Sequence, residues 1–173
     1  MAYNGAMAHP ADPAALACHV ASREDSDSFE QIALSVLRSN GHRITKPRIQ
    51  VIRILAGSHR SQSAYSIHEQ IVAKGEKIDV VSVYRILAAL QELGLIHRVG
   101  TADGFIPCRI EGEHDGRVQH LVCRLCGCVT ELNPPEQAIE AANRLSDSQG
   151  FAADDIRIEM LGTCAHCRSE QNA

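Results

Sequence analysis

Four cysteines constrain this chain more than any other feature. Cys123-x-x-Cys126 and Cys164-x-x-Cys167 form two matched pairs, with 37 residues between Cys126 and Cys164. A C-x2-C pair lets both sulfurs reach one ion across a tight turn, and Gly127 gives such a turn its conformational freedom. Zn²⁺ favours four tetrahedral ligands, and four thiolates with no open position make a structural site. The spacing is too long for a short zinc ribbon and suits a strand–helix–strand excursion. A structural zinc is therefore expected at Cys123, Cys126, Cys164 and Cys167. Cys128 and His166 lie close by in sequence and are expected to be bystanders.

The excursion has the right pattern. H-L-V-C and C-V-T-E-L read as strands on either side of the first pair. Asn133-Pro134-Pro135 opens a helix with Ala138, Ile139, Ala142 and Leu145 on one face, ending near Gln149-Gly150. Asp155 to Leu161 then alternates Ile156, Ile158 and Met160 with polar residues, as a strand does. A unit of about 65 residues is marginal alone, so a metal staple or a partner subunit is expected.

Upstream, the period is helical. Phe29, Ile32, Val36 and Leu37 mark one helix, which stops at Asn40-Gly41. Thr45 as N-cap and Pro47 in the first turn open a second, with Ile49, Ile52 and Leu55 inward. A third runs from about Ser63 to Lys74, and a fourth from near Ser82 to a stop at Gly94, burying Val83, Ile86, Leu87 and Leu90. L-I-H-R-V-G-T-A-D-G-F-I-P-C places two apolar runs around a turn, a hairpin. Short helices followed by a hairpin describe a winged helix, a variant of the helix-turn-helix. The fold class is thus α+β, a winged-helix domain followed by a small α/β unit.

Charge divides at the same place. Residues 28–99 carry a net charge of +5, residues 100–173 −6 and residues 1–27 −3. A basic part beside an acidic one suits a chain whose first domain meets an anionic polymer. The Ala-, Asp- and Ser-rich residues 1–27 read as a mobile arm in which Cys18 and His19 are unemployed. No window is apolar enough for a membrane span, and the first residues do not pattern as a signal peptide. A cytoplasmic setting is expected, where seven cysteines suggest metal or redox chemistry rather than disulfides.

Further candidate ligands crowd the junction of the two units. His97 and Cys108 stand on opposite arms of the hairpin and its exit, His114 in the following loop, His120 three residues before Cys123, and Glu131 just after the first thiol pair. A single thiolate among imidazoles biases a mixed N/S/O site toward zinc and away from harder ions.

S-V-Y-R-I-L-A-A-L-Q-E-L-G-L-I-H-R-V, then H-L-V-C-R-L-C-G and the terminal C-x-x-C, resemble the ferric uptake regulator (Fur) family of bacterial metal-responsive repressors, over residues 29–167. The resemblance implies a homodimer, with a winged-helix DNA-binding domain over 28–107 and a dimerisation and metal-binding domain over 108–173. Within the family the chain looks most like the zinc uptake regulator (Zur) branch. His97 and Cys108 match the zinc-sensing His and Cys of such regulators, whereas iron regulators typically carry a carboxylate at the position of Cys108. The last strand lacks the His of the iron regulators' second site, and E-H-D-G-R-V-Q-H stands where a fuller histidine cluster is usual. Glu131 fits the family's carboxylate ligand. The resemblance implies a sensory zinc at His97, Cys108, Glu131 and either His114 or His120, so about two zinc ions per subunit.

On the DNA side, the architecture points Ser82, Tyr84 and Arg85 of the fourth helix into the major groove. Arg85 is suited to pair bidentately with a guanine. Tyr65 matches a DNA-contacting tyrosine of the zinc regulators, and Arg43, Lys46 and Arg48 are candidates for phosphate contacts. The expected function is zinc-responsive repression of zinc-uptake genes by a zinc-loaded dimer on operator DNA, with no enzymatic activity, membrane partner or small-molecule substrate. Alternatives are a sibling sensor of iron, manganese or nickel, a thiol redox switch at Cys123, Cys126 and Cys128, and a zinc hydrolase. The hydrolase lacks an H-E-x-x-H or similar motif.

Overall fold

The computed structural model describes residues 23–110 and 117–171. Residues 1–22 of the expected arm, Cys18, His19 and the loop residue His114 lie outside the described residues. The first helix, α1 (Arg23–Ser39), begins earlier than the apolar period indicated. Its first turn is polar, but Glu24 and Asp25 complement the helix dipole. Ser26 Oγ also donates to the Ala56 carbonyl at 3.1 Å. Phe29 and Leu37 are buried as expected, while Ile32 faces solvent and Ala33 takes the inward position.

The next helix, α2 (Lys46–Ala56), has Thr45 at its N-cap without a side-chain hydrogen bond and Pro47 in its first turn. Helix α3 (Ala64–Ala73) is capped by Ser63, whose Oγ accepts from the Ser66 amide at 3.1 Å. Helix α4 (Val80–Glu92) starts two residues before Ser82 because Asp79 caps it. Asp79 accepts from the Ser82 amide at 2.8 Å and from the Ser82 hydroxyl at 2.6 Å. Leu37, Ile52, Leu55, Ile67, Ile71, Val83, Leu87 and Leu90 form one aliphatic core among the four helices.

The wing is β1 (Ile96–Val99) paired antiparallel with β2 (Gly104–Pro107), joined by a 3₁₀ turn over Gly100–Ala102. Asp103 closes the turn with φ of 41°. Phe105 also exchanges backbone hydrogen bonds with Gln62, at 2.9 and 3.0 Å, so the α2–α3 connection docks along β2. Gly104 suits this close approach, since a Cβ would lie a tight 3.0–3.1 Å from Ser61 Cβ and the Gln62 backbone.

The second unit is a three-stranded sheet, ordered β4-β3-β5 from β3 (Gln119–Cys123), β4 (Val129–Leu132) and β5 (Ile158–Gly162). The β3–β4 pair is antiparallel and β3–β5 is parallel, the crossover carrying α5 (Glu136–Ser148). The last strand starts at Ile158, so Ile156 precedes it, and Leu145 of α5 is 68 % exposed instead of inward. A short helix, α6 (Ala165–Gln171), ends the described chain and was not legible in the sequence. The two units are joined by polar and apolar contacts. The Val129 amide donates to the His59 carbonyl at 2.9 Å, and Val99 and Ile106 of the wing pack against Val122 and Val129. No helix among the described residues is long and apolar enough to cross a membrane.

Candidate metal centres and nucleic-acid interface

The turn after β3 and the start of α6 bring the two thiol pairs together. One sulfur from each of Cys123, Cys126, Cys164 and Cys167 lies within 4.8 Å of the others, and Cys126 Sγ is 3.8 Å from Cys164 Sγ. A tetrahedron with Zn–S bonds of about 2.3 Å has edges of about 3.8 Å, so the donor set fits a four-thiolate zinc site. Gly127, at φ of 72°, allows the reversal that places Cys126 beside Cys123. Burial opposes ionisation of Cys123, but hydrogen bonds from the Cys126, Cys164 and Leu125 amides outweigh it and bring the thiol down to about 6. Burial pushes Cys126 and Cys167 the other way. Cys128 is buried against the cluster but outside the four, and half-buried His166 has its Nε2 3.3 Å from Glu170.

A second cluster sits where the wing meets the sheet. The ligand atoms of His97 on β1, Cys108 just past β2 and Glu131 on β4 lie within 4.8 Å of one another. The hairpin continues beyond Pro107, with the Cys108 amide donating to the Leu95 carbonyl at 2.9 Å, which fixes the thiol beside His97. The Glu131 side chain is only 2 % exposed, its Oε1 lying 3.8 Å from His97 Nε2 and 3.4 Å from His120 Nε2. Its Oε2 accepts from the Arg109 amide at 2.9 Å. Burial favours the neutral acid, but the bond with His120, the Arg109 amide and the two imidazoles together hold the carboxyl below its usual range. Burial, and then the neighbouring Glu131, push the Cys108 thiol up to about 11. A buried carboxylate facing a thiol and an imidazole is chemistry that a divalent cation satisfies, and one thiolate with one imidazole suits zinc. His120 is not part of this trio; it lies between Glu131 and Glu159, with Nδ1 4.0 Å from Glu159 Oε1.

Two of the candidate DNA-contacting residues come together at the surface. Tyr65 on α3 and Tyr84 on α4 are both exposed and meet edge-to-face, with centroids 6.2 Å apart. Arg85 is exposed in the second turn of α4, whereas Ser82 is tied to Asp79 by both its amide and its hydroxyl. Ser82 lies in the first turn of α4 and Tyr84 and Arg85 in the second, because the Asp79 cap sets the helix start at Val80 and not near Ser82. Lys46 pairs with Glu76 at 2.6 Å, Arg48 donates to the Arg43 carbonyl at 2.6 Å, and Arg43 is exposed. The sequence missed Asp79, though D-V-V-S is a legible cap followed by a serine at its third helical position.

Residues 39–161 match the profile described as the ferric uptake regulator family. This chain belongs to the ferric uptake regulator family. It is 33 % identical to the zinc uptake regulation protein of Mycobacterium tuberculosis over 75 % of this chain and 97 % of that protein. It is 28 % identical to the ferric uptake regulation protein of Neisseria meningitidis over 83 % and 97 % of the two chains. Its fold superposes on a zinc uptake regulator complexed with zinc and DNA, with a TM-score of 0.75 and 24 % identity, covering 86 % of this chain and 98 % of that one. As a member of this family it is a metalloregulator whose fold class is the one expected, a winged helix followed by a small α/β unit that carries the four cysteines. Its likeness lies toward the family's zinc uptake regulator branch.

Proposed function

We propose that this family member is a zinc-responsive transcriptional repressor, binding operator DNA as a zinc-loaded homodimer and controlling zinc-uptake genes. The observation that carries this reading is the convergence of His97, Cys108 and Glu131 from the wing, its exit and the sheet. These three lie on both sides of the junction, so ligation ties the winged helix to the sheet. When bound, zinc supplies a dication that compensates the Glu131 carboxylate and a Cys108 thiolate. The joined conformer is then favoured over those in which the two recognition helices are misplaced for adjacent major grooves, a population shift. A change from 1:99 to 99:1 needs about 5.5 kcal/mol of differential affinity.

The fourth ligand is His114 or His120. Its engagement with Glu131 suits His120 to orienting the carboxylate, which favours His114 as the ligand. The four thiolates hold a second zinc that serves folding and stays in place through the on/off cycle. Tyr65, Tyr84 and Arg85 read DNA, and Arg43 meets phosphate. Lys46 and Arg48 contribute after exchanging their internal partners, and Ser82 serves through the α4 cap. The exposed apolar side chains of the second unit, among them Leu121, Met160 and Leu161 around a groove of about 460 Å³, are the proposed dimer face.

The sibling reading as an iron sensor draws on the 28 % identical ferric uptake relatives. Cys108 argues against it, because a soft thiolate disfavours the harder ion. The test is DNA binding in buffered zinc, iron(II) and manganese(II). Zinc is expected to act at the lowest free concentration, and a response to iron(II) or manganese(II) at a lower concentration than zinc would overturn the assignment.

A further inference from the structure

Three polar side chains cross the second sheet in one row. Glu131 on β4, His120 on β3 and Glu159 on β5 are direct cross-strand partners. Partners in register stand on the same face and interact. His120 reaches both, with Nε2 3.4 Å from Glu131 Oε1 and Nδ1 4.0 Å from Glu159 Oε1. Glu131 ends the row at the His97–Cys108 cluster.

Glu159 ends it at the tip of the wing. Its Oε1 accepts from the Gly100 amide at 2.7 Å and its Oε2 from the Thr101 amide at 2.9 Å. These amides open the 3₁₀ turn, where backbone N–H groups have no partner within the turn itself. A carboxylate acceptor makes such bonds roughly twice as strong as neutral ones. The approach is close, since a Cβ on Gly100 would lie 3.4 Å from Glu159 Oε1. The wing is thus attached to the sheet at two places, by His97 beside Glu131 and by its turn on Glu159. Between them Val99 and Ile106 pack on Val122 and Val129.

We propose that Glu159 is a positioning residue for the metal response: its carboxylate pins the wing turn to the sheet, so that closure at Glu131 is transmitted to the orientation of the whole wing. This rests on the zinc-gated DNA binding proposed above. A carboxylate that merely caps a surface turn would make the same two bonds without affecting the metal response, and the test separates the two.

The full-length protein and its Glu159→Ala and Glu159→Gln variants would be compared in two measurements. The first is amide hydrogen exchange at Gly100 and Thr101 in the zinc-loaded state. The second is the gain in affinity on zinc loading for a duplex that the wild-type protein selects from a random-sequence pool. In Glu159→Ala, exchange at both amides is expected to rise at least tenfold and the zinc-dependent gain to fall at least tenfold, with the four-thiolate zinc retained. Glu159→Gln, which keeps one acceptor oxygen, is expected to lie between. Unchanged exchange in Glu159→Ala, or a full zinc-dependent gain despite raised exchange, overturns the proposal. A wild-type protein with no zinc-dependent gain overturns the regulatory reading and the transmission with it, while the exchange data still report whether the clamp exists.

Discussion

Arg85 stands exposed one turn beyond Ser82, with Val83, Ile86 and Leu87 buried on either side. Its backbone is fixed by the core while its guanidinium faces outward, the arrangement a base-reading residue needs. Arg85→Ala is expected to reduce operator binding by about 1–3 kcal/mol while leaving zinc content and dimerisation unchanged, measured by titration on a labelled duplex. Cys108→Ser tests the other residue on which the account depends. It should retain the four-thiolate zinc but lose the zinc sensitivity of DNA binding, and unaltered sensitivity would remove Cys108 from the sensory set. Asp79 adds a pH signature. Hydrogen bonds from the Ser82 hydroxyl and amide depress its pKa, so its cap is fully present above the ordinary aspartate value, about 3.9. Its contribution is lost as pH falls through the depressed folded value. Asp79→Ala should lower the melting midpoint at neutral pH by about 2–4 °C, and a thermal scan should find that difference vanishing in acid.

At the scale of elements, the aliphatic period identified four helices and the wing because burial imposes that period wherever one face meets a core. It failed where structure is held by polar contacts. The first turn of α1 has no apolar period, and α4 begins at a cap, Asp79, four residues before its first buried side chain, Val83. Leu145 matched the helical stripe but faces solvent, since periodicity reports an apolar face and not what covers it. The trio of His97, Cys108 and Glu131 was legible as residue types near one junction. The row from Glu131 to Glu159 was not, because cross-strand register is invisible until β3 and β5 are paired. The docking of β2 on the α2–α3 connection is likewise a property of assembled elements. Gly104→Ala is expected to destabilise that contact by about 1–3 kcal/mol and weaken DNA binding, without loss of the four-thiolate zinc. Urea denaturation alongside zinc counting checks both.

For the whole molecule, the different work proposed for the two candidate metal clusters rests on where they sit. Cys123, Cys126, Cys164 and Cys167 all belong to the second unit, so their ligation stabilises that unit alone. His97, Cys108 and Glu131 lie across the junction, so the ligation proposed for them would change how the two units are held. The division of charge follows the same plan, with the basic residues gathered in the winged helix and the acidic ones in the sheet unit. Salt dependence of DNA binding should therefore reside in the first unit. The measurement that tests this division most directly is a buffered-zinc titration of the purified protein, following zinc bound per subunit and affinity for an operator duplex together. One zinc is expected to be held throughout, with DNA binding appearing only as a second loads. DNA binding already complete with the first zinc, and indifferent to the second, would contradict it.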